Sequence, residues 1–397
     1  MLFRERRLGW NFRTCFLTVL SLSVLAFGSD AREPVEVQLS ALKRAVVRNY
    51  AAVASASYED ALEQAKTLQS KIALFLANPS EQSLSAARKA WIKARVPYSQ
   101  TETFRFYDGP IDELDGKINS WPIDENYIDY VAEDPNAGII NDTTNFPTLS
   151  AELVLSLNEK EGKKNISTGF HAIEFLLWGQ DRNPTGPGNR SWRDYAPGTR
   201  NADRRRQYLD IVTGLLVKHL AAVAAQWSEK DAHNYRADFV TIEPEIALAR
   251  ILKGAGALSG PEVAGERLTT PYETKEQEEE QDCFSDNTCN DLIDDALGIE
   301  NVYFGRYEGI HGRKVEGPGL HDLLLRIDPD LAGKLAAQTQ TAVECARNIP
   351  QPFDQAILSA NTSPGRIAIK KAIVAFQTES DLIARAAGTL SIKLSLR

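Results

Sequence analysis

The chain has 397 residues, 43% of them hydrophobic and 25% charged, with a formal net charge of −9. This is the composition of a soluble globular protein with room for two or three domains' worth of core. The acidic balance argues against a nucleic-acid partner, since past the leader no basic run exceeds Arg204-Arg205-Arg206, and it gives a weak bias towards cations.

The N-terminus reads as a targeting segment. Arg4, Arg6, Arg7 and Arg13 are followed by a short apolar run over 15–27 and by Ser29-Asp30-Ala31. That pattern predicts a signal peptide over 1–31, a mature start near Arg32 and an exported, periplasmic or envelope-associated protein. The apolar run is too short for a comfortable membrane span, so no transmembrane segment is expected in the mature chain. Cys15 leaves with the leader. Of the remaining Cys283, Cys289 and Cys345, two could pair in an oxidising compartment, and the spacing does not say which.

Helical periodicity follows. Apolar residues recur at three- and four-residue steps over 35–78, as one long helix or two joined near 55–58. Pro79-Ser80 ends that pattern and a second helix begins about Glu81, with Pro97 expected to kink or interrupt it. Beyond the kink, Tyr98, Glu102 and Arg105 are spaced to share one polar face. The alternative is an exposed tyrosine beside a local Glu–Arg pair. Gly, Pro, Asn and Asp punctuate 108–122 as turns, short helices are expected over 127–132 and 153–157, and 134–148 reads as loop.

The stretch 167–179 predicts a short apolar helix, with Ser167 or Thr168 as N-cap and Gly179 as stop. Its interior has two ionisable side chains, His171 and Glu174, three residues apart and therefore on one face. Burying both is costly unless something pairs with them. A metal ion is one such partner, and Glu-x-x-His in di-iron bundles is the same spacing in reverse. The alternative is a His–Glu hydrogen bond inside a core.

A long loop or interdomain connection is expected over 181–200 and a clear amphipathic helix over 204–227, whose His219 reads as packed. A helix over 246–258 runs into Gly254, Gly256 and Gly260. Glu276, Glu278, Glu279, Glu280 and Asp282 form an acidic run, usually a solvated face. Amphipathic helices over 320–327, 331–349 and 364–387 close the chain, with no alternating strand pattern. The pattern predicts an all-α protein of two helical-bundle domains, over 32–200 and 201–397.

The chain resembles the imelysin family of exported bacterial proteins, a family also classed with metallopeptidases and linked to iron uptake. The resemblance rests first on Gly169-x-His171-x-x-Glu174. Further motifs in order are Tyr98-x-x-x-Glu102-x-x-Arg105, Gly109-Pro110-Ile111-Asp112, Trp121-Pro122, Leu258-Ser259-Gly260, Gly265-Glu266-Arg267, Phe284-Ser285-Asp286-Asn287-Thr288 and Pro352-Phe353-Asp354. It implies two helical bundles with a site at or near their interface, a transition metal (iron or zinc first), and a metal ion or metal chelate as partner, with other exported or envelope proteins as further partners. The expected ligands are His171, Glu174 and Glu102. Tyr98, Arg105, Gly169 and Asp286 are expected to line the site. Gln281 and Cys289 stand where histidines often flank the Phe284–Thr288 motif in the family.

Three functions remain open. One is metal binding in iron or other metal uptake. Another is a metallopeptidase acting on exported proteins. The third is a partner-binding scaffold. A zincin-type peptidase needs His-Glu-x-x-His, whereas Ala172 and Phe175 follow His171 at those places. Binding asks less of the residues and is the favoured expectation.

Overall fold

The computed structural model describes residues 35–183 and 185–396. The expected signal peptide, 1–31, lies outside the described residues. Fifteen α-helices follow in order: α1 Val35–Ala77, α2 Glu81–Ser99, α3 Asp115–Ile118, α4 Glu125–Ile128, α5 Ala151–Leu157, α6 Gly169–Trp178, α7 Ala202–Trp227, α8 Tyr235–Phe239, α9 Pro244–Ala257, α10 Thr270–Thr274, α11 Thr288–Phe304, α12 Leu320–Ile327, α13 Pro329–Arg347, α14 Phe353–Leu358 and α15 Pro364–Thr389.

The long N-terminal pattern is one helix. Its stripe, from Val46 and Tyr50 through Ala61, Leu68 and Phe75, is buried along its length. Ser80 opens α2 with a reciprocal cap: its hydroxyl accepts the Ser83 N–H at 3.2 Å, and the Ser83 hydroxyl accepts the Ser80 N–H at 3.0 Å. Pro97 does not interrupt α2, because it falls in the last turn and the helix ends two residues later. Glu102 then lies in a 3₁₀ turn, Glu102–Phe104, and Arg105 in extended backbone. Tyr98, Glu102 and Arg105 therefore do not share one continuous helix face.

α1 packs on α2 and α7, and α6 fits between α2 and α7. α7 is long and apolar enough to cross a membrane by length and composition. Here its stripe, including Leu209, Leu216 and Leu220, lies inside a helical bundle. In the C-terminal half α13 pairs with α15, and α11 lies against α12, α13 and α2. Buried apolar side chains from Val46 to Leu390 form one hydrophobic cluster spanning both halves.

Three features were not expected. α9 continues as a π-helical stretch, Leu258–Thr269, where the Thr270 N–H reaches back to Gly265 O. α11 occupies a region to which the apolar periodicity assigned no helix. A two-stranded antiparallel hairpin, β1 Arg306–Glu308 and β2 Lys314–Glu316, pairs Tyr307 with Val315. Cys283, Cys289 and Cys345 are all free, so the pairing left open by the sequence is not present among them.

Candidate metal centre

The site is built on α6. Every residue of this helix is buried, as its nearly continuous apolar sequence requires. Gly169 fixes where it starts. Its φ is +90°, and a Cβ there would stand 2.6 Å from Ile118 O. Only glycine lets the first turn of α6 lie against the end of α3. Thr168 is the N-cap residue, but its hydroxyl donates to Lys117 O at 3.1 Å instead of capping. Gly179, at φ +73°, ends the helix.

His171 and Glu174 meet as their spacing predicts, with Nδ1 3.0 Å from Glu174 Oε2. A third group completes the cluster: Asp282 Oδ1 lies 3.5 Å from the same nitrogen. One ligand atom from each of the three lies within 4.8 Å of the other two. His171, Glu174 and Asp282 are at most 1% exposed. His171 Nε2 and Asp282 Oδ1 have no hydrogen-bond partner among the described residues. Burial pushes His171 well below its usual value, and the guanidiniums of Arg95 and Arg267 add to that shift. Burial and the Asp282 charge push Glu174 well above the carboxylate range. Burial likewise raises Asp282, although Arg95 opposes it. Every shift favours the neutral form, because burial penalises the charged state of imidazole and carboxylate alike.

The loop that brings Asp282 to α6 is the Phe284–Thr288 motif, and its residues have separate jobs. Ser285 donates to Glu174 Oε1 through its N–H at 2.9 Å and its hydroxyl at 2.7 Å. Phe284 packs against Phe175, ring centroids 5.2 Å apart. Asn287 Nδ2 lies 3.0 Å from both Asp282 Oδ2 and Asp291 Oδ1, holding two carboxylates in register. The Thr288 hydroxyl accepts the Asp282 N–H at 3.0 Å. Asp286 stands at φ +56°. Burial, Asp354 and Asp181 push its carboxyl up to about 7.

Tyr98 and Arg95, both on α2, pack against the residue next to His171. The Tyr98 ring is 4.8 Å from that of Phe170, and the Arg95 guanidinium is 4.9 Å from the same ring. Arg95 bonds Asp291 and Asn119 and stands 3.7 Å from Asp282. Among the described residues, the Tyr98 hydroxyl has no partner.

Glu102 is placed in a neighbouring ion-pair network and is not in the His171 cluster. Its carboxylate bonds Arg105 and Arg267 at 2.5 Å each. Arg267, delivered by the π-helical stretch, also bonds Asp295 at 2.7 Å. Burial pushes Glu102 up, but the two arginines outweigh it and hold the carboxyl down at about 2. Relative to an ordinary 4.5, that depression corresponds to roughly 3 kcal/mol of folding stability. A depressed acid contributes this fully above its unfolded value and loses it as pH falls from about 4.5 towards 2. Glu102→Gln should therefore be less stable than wild type at pH 7 by about that amount. Urea unfolding should show the gap shrinking at pH 3, and a gap independent of pH would contradict the assignment.

Neither Asp282 nor its supporting Arg95, Ser285 and Asn287 was expected at the site. The only sequence signal was the Phe284–Thr288 motif beside the acidic run.

A cavity of about 290 Å³ opens onto His171, with Trp121, Glu125, Glu280, Gln281 and Cys283 among its walls. Trp121-Pro122 and the acidic run thus belong to the surroundings of α6.

Comparison with known proteins agrees with this architecture. The family model described as Imelysin matches residues 54–383. Iron-regulated protein A of Synechococcus elongatus is 27% identical over 338 residues, covering 83% of this chain and 81% of that relative. A crystal structure assigned as an iron-regulated protein A precursor from Parabacteroides distasonis superposes with a TM-score of 0.69 at 19% identity, covering 88% of this chain and 95% of that one. An imelysin-like protein from Psychrobacter arcticum superposes with a TM-score of 0.61 at 13% identity, covering 91% and 98%. These two likenesses concern the fold.

Proposed function

The chain belongs to the imelysin family, and from that premise we propose that it is an exported metal-binding protein of iron or other transition-metal uptake, with its ion held by His171, Glu174 and Asp282. One observation carries the reading. Three buried N and O atoms converge: Nδ1 lies 3.0 Å from Glu174 Oε2 and 3.5 Å from Asp282 Oδ1. Atoms each about 2.1 Å from a common ion stand about 3.4 Å apart in a tetrahedral arrangement. The donors present therefore fit a transition metal in spacing and in chemistry, since imidazole and carboxylate suit iron, zinc and manganese.

A bound cation would add to the single positive charge near the two buried carboxyls, that of Arg95, 3.7 Å from Asp282. The protein's own contribution is positioning. Ser285 holds one oxygen of Glu174 and turns the other towards His171. Asn287 holds Asp282 from the far side. Such supports keep ligand groups in place, and disturbing them typically weakens metal binding 10- to 100-fold. Three protein ligands leave a position for water or another ligand. A peptidase would need in addition a general base and a site for a peptide, whereas binding needs the three ligands alone.

Calorimetric titration with Zn²⁺, and with Fe²⁺ under anaerobic conditions, tests this reading. Wild type should bind about one ion per chain, and His171→Ala should bind at least about tenfold more weakly. Equal affinities would return His171 and Glu174 to helix packing.

A further inference from the structure

The wall of the cavity leading to His171 is an observation separate from the three ligands. Its acidic members are Asp124, Glu125, Glu278 and Glu280. An adjoining cavity of about 530 Å³ shares Glu125 and Glu278 and adds Glu133, Asp181 and Glu276. The basic residues on these walls are already paired, Lys164 with Glu279 at 3.3 Å and Arg182 with Glu133 at 2.6 Å. Glu280 differs from the rest. It is 1% exposed, and neither carboxylate oxygen has a hydrogen-bond partner among the described residues. His171 lines the same cavity, and its buried Nε2 likewise has no partner among the described residues. A carboxyl buried without a cation beside it is expensive to ionise, and a cation arriving along the cavity would stabilise its charged form.

Resting on the metal reading above, we propose that the site takes its metal as a free hydrated cation, drawn in along the acid-lined cavity and received first by Glu280, and that it excludes metal held in an anionic chelate. A cleft of one charge sign with low-dielectric walls focuses the field and concentrates counter-ions, raising on-rates by about 10- to 1,000-fold. The same field repels a chelate that carries its own carboxylates. Size agrees with charge. Six waters at about 30 Å³ each occupy roughly 180 Å³, which fits a cavity of about 290 Å³. Glu280 stands two residues before Asp282, so one short segment supplies both a receiving group at the cavity and a ligand in the cluster.

Stopped-flow binding of Zn²⁺ to the full untagged chain tests the path. The wild-type on-rate should fall at least about tenfold between low and physiological-to-high ionic strength. Glu125→Gln combined with Glu278→Gln should lower it about tenfold at low salt and flatten that dependence, and Glu280→Gln should slow it further. Equilibrium dialysis with iron citrate labelled in the citrate should retain iron without citrate. The proposal is overturned by an on-rate indifferent to salt, by a double variant that binds as fast as wild type, or by citrate retained with the iron. The wild-type salt series and the dialysis need no variant to fold. If His171→Ala binds Zn²⁺ as tightly as wild type, the metal reading itself fails. If His171→Ala loses binding while the on-rate ignores salt, only the path fails.

Discussion

Asp282→Asn is expected to weaken Zn²⁺ binding at least about tenfold and yet leave the metal-free protein as stable as wild type, or more so. The two effects have opposite origins. With no cation, Asp282 brings a second carboxylate to within 3.5 Å of a histidine that Glu174 already engages. All three are buried, and burial pushes both acids well up. Asparagine removes a carboxyl that is costly to ionise there and retains an oxygen to accept from Asn287, which now bonds Asp282 at 3.0 Å. Arg95 is not stranded, because it keeps its bonds to Asp291. With metal, the missing carboxylate is a missing ligand. Thermal unfolding with and without Zn²⁺ separates the two effects. At free metal 100-fold above Kd, a bound ion stabilises by about 2.7 kcal/mol, and a tenfold loss of affinity removes about half of that. If the metal-free variant loses more than about 2 kcal/mol, Asp282 is instead an anchor for the loop.

Asp129→Ala is expected to cost about 3–5 kcal/mol, the range for breaking a buried ion pair from one side. Asp129 is fully buried and bonds Arg205 at 2.6 Å through Nε and 2.9 Å through Nη2, and it also bonds Arg190. Burial pushes its carboxyl up, but Arg190 and Arg205 outweigh that and hold it below the usual range. Removal leaves two buried guanidiniums facing each other. One of them, Arg190, lies over Phe175 of α6 at 5.1 Å, and Arg88 ties its carbonyl to Leu177 O of the same helix. The triad is therefore part of what holds α6 in place. Replacing all three charged residues with apolar ones of similar volume should recover most of the loss. Denaturant unfolding measures both variants, and a loss under about 1 kcal/mol for Asp129→Ala would show the triad to be dispensable.

What the sequence made legible was local. The α6 helix, its stop at Gly179 and the facing His171–Glu174 pair all follow from residues within 13 positions, 167–179. α12 was bounded correctly from its apolar spacing alone. What stayed hidden was tertiary. The acidic run read as one solvated face, yet it divides: Glu276 and Glu278 are exposed while Glu280 and Asp282 are buried. Nothing in the spacing marks that division, because it is set by α6 packing against the loop. α11 was missed for a related reason. Asp291, Asp294 and Asp295 sit on its buried side, facing Arg95, Gln100 and Arg267, and they interrupt the apolar stripe by which a helix is recognised. Glu102 was assigned by extending a helical period beyond Ser99, where the helix ends. Its arginine partner at 267 is 165 residues away in the chain. Strands of three residues, as in the hairpin, fall below any reading of alternation.

The central claim is that His171, Glu174 and Asp282 hold a metal ion. It is tested most directly by the metal content of untagged protein purified without added metal, beside His171→Ala prepared identically. Elemental analysis should find about one equivalent of iron or zinc per wild-type chain and less than about a tenth of that in the variant. Equal metal in the two proteins, or a wild type that is empty and stays empty after incubation with either ion, would contradict it.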